Sequence, residues 1–214
     1  MSASPPAEHL LVPGPIGNLE VVIDHPASSA RGFALVAHPH PLYGGSLDNK
    51  VAQTLARAMI ELGYVSLRAN FRGVGRSEGA HDNGEGETDD MVALAAYLQK
   101  RFGEQPLVLC GFSFGAWVQT RVAKRVTATR IVLVGLATGA LGEGRHYPAE
   151  SVPNDSIVIH GDLDETVPLA NALAWARPQE LPITVAPGCD HFFHRKLHLI
   201  RTIIRNQWSS PDRP

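Results

Sequence analysis

The stretch Leu107-Val108-Leu109-Cys110-Gly111-Phe112-Ser113-Phe114-Gly115-Ala116 decides how this chain reads. The apolar run Leu107 to Cys110 predicts a buried strand, and Ala116 to Lys124 has the make-up of a helix. Between them lies Gly111-Phe112-Ser113-Phe114-Gly115, a G-x-S-x-G. Glycines on both sides of the serine permit a sharp strand-to-helix turn where bulkier side chains would collide, and such a turn lifts the serine oxygen clear of the backbone. The start of the following helix adds positive potential beneath any negative charge that develops there. Ser113 is therefore the candidate nucleophile, and its position between strand and helix carries more weight than the pentapeptide itself.

Outward from this turn, short β-branched runs alternate with longer segments of helical period. Strands are predicted over 19–23, 33–37, 64–69, 107–110, 131–134, 157–160 and 183–186. Most are apolar throughout, the pattern of a parallel sheet covered on both faces. Val51, Leu55, Ala58, Met59 and Leu62 share one helical face behind Ser46 or Asp48 as N-cap. Met91, Leu94, Ala95, Leu98 and Phe102 share another, with Thr88 as cap and Asp89-Asp90 beside the helix N-terminus. Leu197, Ile200, Ile204 and Trp208 make a third. There is no internal repeat and no linker. The reading is an α/β fold with a mostly parallel central sheet and helices on both faces, one domain over 1–214, with frayed ends at 1–8 and 209–214.

Composition agrees and excludes several classes. The chain has 214 residues, 44% hydrophobic and 19% charged, ordinary globular usage. Nineteen Lys and Arg against 21 Asp and Glu give a formal charge of −2, which argues against a nucleic-acid binder and supplies no polybasic membrane patch. Cys110 and Cys189 are too few for a disulfide scaffold. The N-terminal sequence lacks the basic start and apolar stretch of a signal peptide, and no apolar run approaches the ~18 residues that span a bilayer. A reducing, cytoplasmic location is expected.

A serine hydroxyl is nearly inert unless a base takes its proton. In a fold of this kind the partners follow in the order Ser, Asp or Glu, His, from loops beyond the carboxyl ends of the strands. Strand 157–160 runs into Gly161-Asp162-Leu163-Asp164-Glu165, and strand 183–186 into Pro187-Gly188-Cys189-Asp190-His191. Asp164 is the expected acid, with Asp162 and Glu165 competing. His191 is the expected base; His194 and His198 fall within or near the last helix. An oxyanion needs two backbone donors. Phe114, next to Ser113, supplies one, and the loop His38-Pro39-His40-Pro41-Leu42-Tyr43-Gly44-Gly45 the other. Pro39 and Pro41 have no N–H, so His40, Leu42 and Tyr43 remain, with the choice open between His40 and Tyr43.

In these motifs the chain resembles the α/β-hydrolases, and it most resembles small bacterial members through His38–Pro41, Gly44-Gly45, Asn49-Lys50, Phe71–Ser77, Gly111–Gly115 and Asp190–Phe193. The resemblance implies a serine hydrolase or short-chain esterase that needs no cofactor. It resembles dienelactone hydrolases in size, but those use a Cys nucleophile where this chain has Ser113. Only about 20 residues separate strand 131–134 from strand 157–160, where many relatives insert a cap, so no cap domain is expected. The site should then be open, with Phe112, Phe114, Tyr43, Phe192, Phe193 and His40 as candidate walls and a small-molecule ester as substrate.

Rival readings are weaker. Gly73-Val74-Gly75-Arg76-Ser77-Glu78-Gly79 resembles a dinucleotide-binding turn, but the chain continues into an acidic segment rather than a helix that would hold a pyrophosphate. His194 and His198 lack a third metal ligand, and Asp82–Asp90 lacks the spaced ligands of a calcium loop, so the histidines read as surface residues and the acidic segment as a solvated charge run.

Overall fold

The computed structural model describes residues 5–142 and 144–208. In chain order the elements are β1 (Glu8–Pro13), β2 (Asn18–Asp24), β3 (Phe33–Ala37), α1 (Lys50–Glu61), β4 (Val65–Ala69), α2 (Glu85–Phe102), β5 (Leu107–Phe112), α3 (Phe114–Val122), β6 (Arg130–Val134), β7 (Gly139–Ala140), β8 (His146–Tyr147), β9 (Ile157–Gly161), α4 (Leu169–Ala176), β10 (Thr184–Ala186) and α5 (Leu197–Gln207). Short 3-10 turns span Pro41–Tyr43 and Arg177–Gln179. The main sheet runs β1-β2-β4-β3-β5-β6-β9-β10. β1 and β2 pair antiparallel, β2 meets β4 antiparallel, and the remaining pairs are parallel.

The apolar strands are explained by two cores, one on each face. Successive residues of a strand point to opposite sides. Leu107 and Leu109 of β5 join a layer with Met91 and Leu98 of α2 and Val118 of α3. Val108, Cys110 and Phe112 join the other, with Leu55 and Met59 of α1 and Ile200 and Ile204 of α5. Ile200 is fully buried, so trimming it to Ala would cost about 2–5 kcal/mol. The chain leaves β3 toward β4 and then returns to place β5 on the other side of β3. That reversal opens a crevice beyond the carboxyl ends of β3 and β5, where ligands bind in open α/β sheets.

Several expectations need correction. Glu8, the last residue of the segment expected to fray, begins β1. The Gly14 N–H donates to the Gly17 carbonyl at 2.8 Å, closing the β1–β2 turn, and the Glu8 carboxylate takes Arg101 Nη2 and His25 Nε2, each at 2.7 Å. Residues 1–4 and 209–214 lie outside the described residues. Asn49, not Ser46 or Asp48, caps α1, its Oδ1 accepting the N–H groups of Val51 and Ala52. Helix α2 starts at Glu85 rather than behind Thr88.

The acidic segment is solvated only in part: Asp82, Glu85 and Asp89 are exposed, as that reading expects, but two carboxylates are not. Glu87 and Asp90 are buried: Glu87 accepts from the N–H groups of Asp82 and Gly84 and pairs with His81, and Asp90 takes a two-point bond from Arg72 at 2.7 Å each. Enough donors converge on both carboxylates to offset their removal from water. Helix α4, apolar at every position but Asn171, buries only Ala172 and Ala176.

Candidate active site

Ser113 sits between β5 and α3 with φ 56° and ψ −120°, a strained conformation for a residue with a side chain. The turn is held by its neighbours. The Ser113 N–H donates to the Val134 carbonyl at 3.0 Å, and the Ser113 carbonyl accepts from Trp117 and Ala137. The flanking glycines are required by close approach. A Cβ at Gly115 would lie 2.4 Å from the His38 carbonyl oxygen, and one at Gly111 would lie 2.5 Å from the Gly115 carbonyl oxygen.

The acid and base loops are pressed together at the ends of β9 and β10. A Cβ at Gly161 would lie 2.2 Å from the Cys189 carbonyl oxygen, so only glycine lets the two loops meet. The Leu163 N–H donates to that same carbonyl at 3.0 Å. This brings His191 Nδ1 to 2.7 Å from Asp164 Oδ2 and His191 Nε2 to 2.9 Å from Ser113 Oγ. All three side chains are buried. The other Asp164 oxygen accepts the N–H groups of Thr166 at 3.0 Å and Val167 at 2.7 Å. A carboxylate only accepts, so Nδ1 of His191 carries the proton and Nε2 is left to accept from the serine hydroxyl.

The competing residues lie elsewhere. Asp162 accepts the Gly188 N–H at 2.5 Å, Glu165 is exposed, and His194 is exposed and bonded to Asp190. His198 lies within α5 and is exposed.

Two further histidines sit beneath the site. His160, at the end of β9, is fully buried; its Nε2 donates to the Val167 carbonyl at 2.9 Å and lies 3.5 Å from Asp164 Oδ2. Burial holds its pKa down, and its Nδ1 is enclosed with no partner among the described residues. His38 donates from Nδ1 to the Pro39 carbonyl and accepts the Phe71 N–H on Nε2, and burial depresses its pKa to about 4. Both are neutral structural groups. His38 ties the loop after β3 to that after β4, and His160 ties β9 to the turn that carries Asp164.

Above Ser113 opens a cleft of about 310 Å³. His40, Tyr43, Phe114 and Phe192 line it, as expected from the sequence. Phe112 and Phe193 do not: both are fully buried, Phe112 packed beneath the His191 ring at 4.8 Å and Phe193 among the residues of α1 and α5. Leu141, Arg145 and Tyr147 complete the wall. They come from the β7–β8 hairpin, which stands where a cap would be inserted and is anchored by Asn171 Nδ2 donating to the Thr138 and Ala140 carbonyls. In the loop after β3, the Tyr43 and Gly45 N–H groups donate to the His40 carbonyl, and the Leu42 N–H to His40 Nδ1. The N–H groups of His40 and Phe114 have no partner among the described residues.

Cys110 and Cys189 are buried and unpaired, and burial raises both thiol pKa values. Among the described residues, no group of three His, Cys, Asp or Glu is placed to hold a metal ion, and no helix is long and apolar enough to cross a membrane.

Comparison with known proteins bears on the fold and on the serine turn. The family described as serine aminopeptidase S33 matches residues 44–148, which include Ser113 but end before Asp164 and His191. An uncharacterized protein of Rickettsia prowazekii (strain Madrid E) is 33% identical over 192 residues, covering 86% of this chain and 81% of that protein. A solved α/β serine hydrolase homologue from Coxiella burnetii is 36% identical with a TM-score of 0.84, over 93% of this chain and 96% of that one. A solved α/β serine hydrolase without lid from Xanthomonas campestris is 34% identical with a TM-score of 0.85, over 97% of each chain. Fold, serine turn and near-complete overlap with these relatives coincide, and the chain belongs to the α/β serine hydrolases.

Proposed function

We propose that the protein cleaves small or short-chain carboxylic esters through an acyl-enzyme on Ser113. One observation carries this reading: the unbroken hydrogen-bonded series from Ser113 Oγ through His191 to Asp164, opening into a cleft. Ser113 Oγ attacks the ester carbonyl carbon as its proton passes to His191 Nε2. Asp164 holds the imidazole in the required tautomer and offsets its positive charge. The carbonyl oxygen becomes an oxyanion and takes the N–H groups of Phe114 and His40, the two left without partners. The Tyr43 N–H, the other expected donor, is turned toward the His40 carbonyl. Collapse breaks the bond to the alkoxide, which leaves with the proton from His191. Water then repeats the sequence on the acyl-enzyme and releases the acid.

The uncapped cleft, of about 310 Å³, favours small esters. The family description brings a second reading, an aminopeptidase. A peptide N-terminus is an ammonium, and its recognition calls for a carboxylate within the cleft; no Asp or Glu among the described residues lines it. That favours an uncharged ester.

Labelling with a fluorophosphonate probe followed by peptide mapping tests the nucleophile, and hydrolysis of p-nitrophenyl acetate tests the reaction. Modification at Ser113 with turnover lost in Ser113→Ala, by about 10⁶ in kcat, is the expected result. A protein that neither reacts at Ser113 nor hydrolyses the ester is a binding protein on a hydrolase fold.

A further inference from the structure

Beside the catalytic cleft lies a second compartment of about 380 Å³. It shares His40, Tyr43, Phe114, Arg145 and Tyr147 with the cleft and is bounded further by His81 and Trp117. Neither Ser113 nor His191 lines it, so it is a side chamber and not the site of bond breaking. Two imidazoles, His40 and His81, stand 4.9 Å apart within it, centroid to centroid.

Their hydrogen-bond roles are set from behind and are opposite. His81 Nδ1 lies 2.7 Å from Oε1 of the buried Glu87, whose oxygens also take the N–H groups of Asp82 and Gly84. A carboxylate held by those donors only accepts, so Nδ1 carries the ring proton, and in the neutral ring Nε2 presents a bare lone pair. In His40 the arrangement is reversed. Its Nδ1 accepts the Leu42 N–H at 3.2 Å, so its Nε2 carries the proton. Burial, with the neighbouring His81 and Arg145, holds the His40 pKa near 4, so this ring is a neutral donor. Neither Nε2 has a protein partner among the described residues, and neither is sealed from solvent.

One acceptor and one donor, on rings whose centroids are 4.9 Å apart, match a group that donates and accepts through a single atom. A hydroxyl does so. A carboxylate or phosphate would oppose the His81 lone pair, and an alkyl chain would leave both nitrogens without partners once water is expelled. The faces of Phe114 and Trp117, in ring contact at 5.4 Å, offer an apolar wall for the carbon skeleton that carries it. We propose that this compartment is a specificity subsite for a hydroxyl-bearing arm of the substrate, with His81 Nε2 accepting the hydroxyl proton and His40 Nε2–H donating to its oxygen. The proposal rests on the ester-hydrolase reading and names the kind of ester.

The test compares kcat/KM on matched esters with and without a hydroxyl. Glycerol monobutyrate against propyl butyrate probes the alcohol arm, and methyl 4-hydroxyphenylacetate against methyl phenylacetate probes the acyl arm. The wild type should favour the hydroxylated member of at least one pair by about tenfold or more. His81→Phe should bring that ratio close to one, and His81→Gln, whose amide can still accept, should restore part of it. Ratios near one in both wild-type pairs overturn the proposal, as does a preference that survives His81→Phe. Faster turnover of methyl hydrogen succinate than of methyl butyrate overturns it in favour of an anion subsite. Turnover that persists in Ser113→Ala removes the catalytic reading while the His81→Phe ratio still decides the subsite. No turnover of any ester overturns both.

Discussion

Asp164→Asn removes a charge while keeping every heavy-atom position, and the hydrogen bonds around the site fix how the new amide must lie. Oδ1 of Asp164 accepts two backbone N–H groups, from Thr166 and Val167, whereas Oδ2 faces only the Nδ1 of His191 at close range. An Asn that keeps its oxygen toward the two backbone donors sets its NH₂ against His191. The opposite orientation leaves two buried backbone donors facing an NH₂. Each buried donor without an acceptor costs about 1–3 kcal/mol, so the first orientation wins by up to two such penalties. His191 must then move its proton to Nε2, where it donates to Ser113 Oγ and cannot receive the serine proton. The expected loss in kcat is about 10⁴, equivalent to about 5.5 kcal/mol of transition-state stabilisation, the scale established for the same carboxylate-to-amide change in a serine protease triad. The assay is steady-state hydrolysis of p-nitrophenyl acetate, with a circular-dichroism melt to show that the variant folds. Asp162→Asn is the control: that carboxylate accepts the Gly188 N–H and does not touch His191, so its kcat should stay within a few-fold of wild type. A folded Asp164→Asn protein with kcat within tenfold of wild type refutes the argument, and a larger loss in Asp162→Asn reassigns the acid.

Three further predictions concern the scaffold. Arg72→Met leaves the buried Asp90 carboxylate without its two-point partner and should cost about 3–5 kcal/mol in a urea titration; a loss under about 1 kcal/mol contradicts the buried pair. Gly115→Ala drives a Cβ toward the His38 and Ala37 carbonyl oxygens, at 2.4 and 2.5 Å, neither of which can rotate away. It should cost about 1–3 kcal/mol and slow fluorophosphonate labelling of Ser113, and an unchanged labelling rate counts against the tight turn. His38 has its pKa lowered from 6.5 to about 4 in the fold, so between those values the unfolded chain binds the extra proton. Its contribution is therefore complete above about pH 6.5 and lost as pH falls toward 4, by about 3 kcal/mol in all. His38→Phe should be less stable at pH 7 yet show a shallower decline in urea midpoint from pH 7 to 4; an equally steep decline refutes the assignment.

The strand series was legible in the sequence because most of the parallel strands are buried on both faces and so nearly apolar throughout, as Phe33–Ala37 and Leu107–Cys110 are. Residues whose role depends on long-range partners were not. β1 is an edge strand that alternates buried and exposed positions, with Pro13 at its end, and its order comes from pairing with β2 and from Arg101, 93 residues away from Glu8. Asp82–Asp90 reads as a solvated run because sequence alone does not reveal that Arg72 reaches Asp90 or that Gly84 and Asp82 turn their N–H groups onto Glu87.

The same distinction divides the site. The candidates Ser113, Asp164 and His191 each follow the end of a strand, β5, β9 and β10, on one side of the sheet, where a chain-order argument looks for them. The walls follow no such rule. Leu141, Arg145 and Tyr147 enter the cleft on a two-residue ladder too short to leave a periodic signal, fastened by Asn171 from a helix that the sequence did not reveal. Phe112 and Phe193 flank the motifs as visibly as Phe114 and Phe192, yet strand alternation sends Phe112 into the opposite core and the turn after His191 points Phe193 inward. The proposed chemistry is therefore written at strand ends, whereas the proposed specificity is written by hairpin and loop packing. His81 shows the consequence: its motif looks like a loop in an acidic segment, and only the buried Glu87 behind it gives its outward nitrogen a defined role.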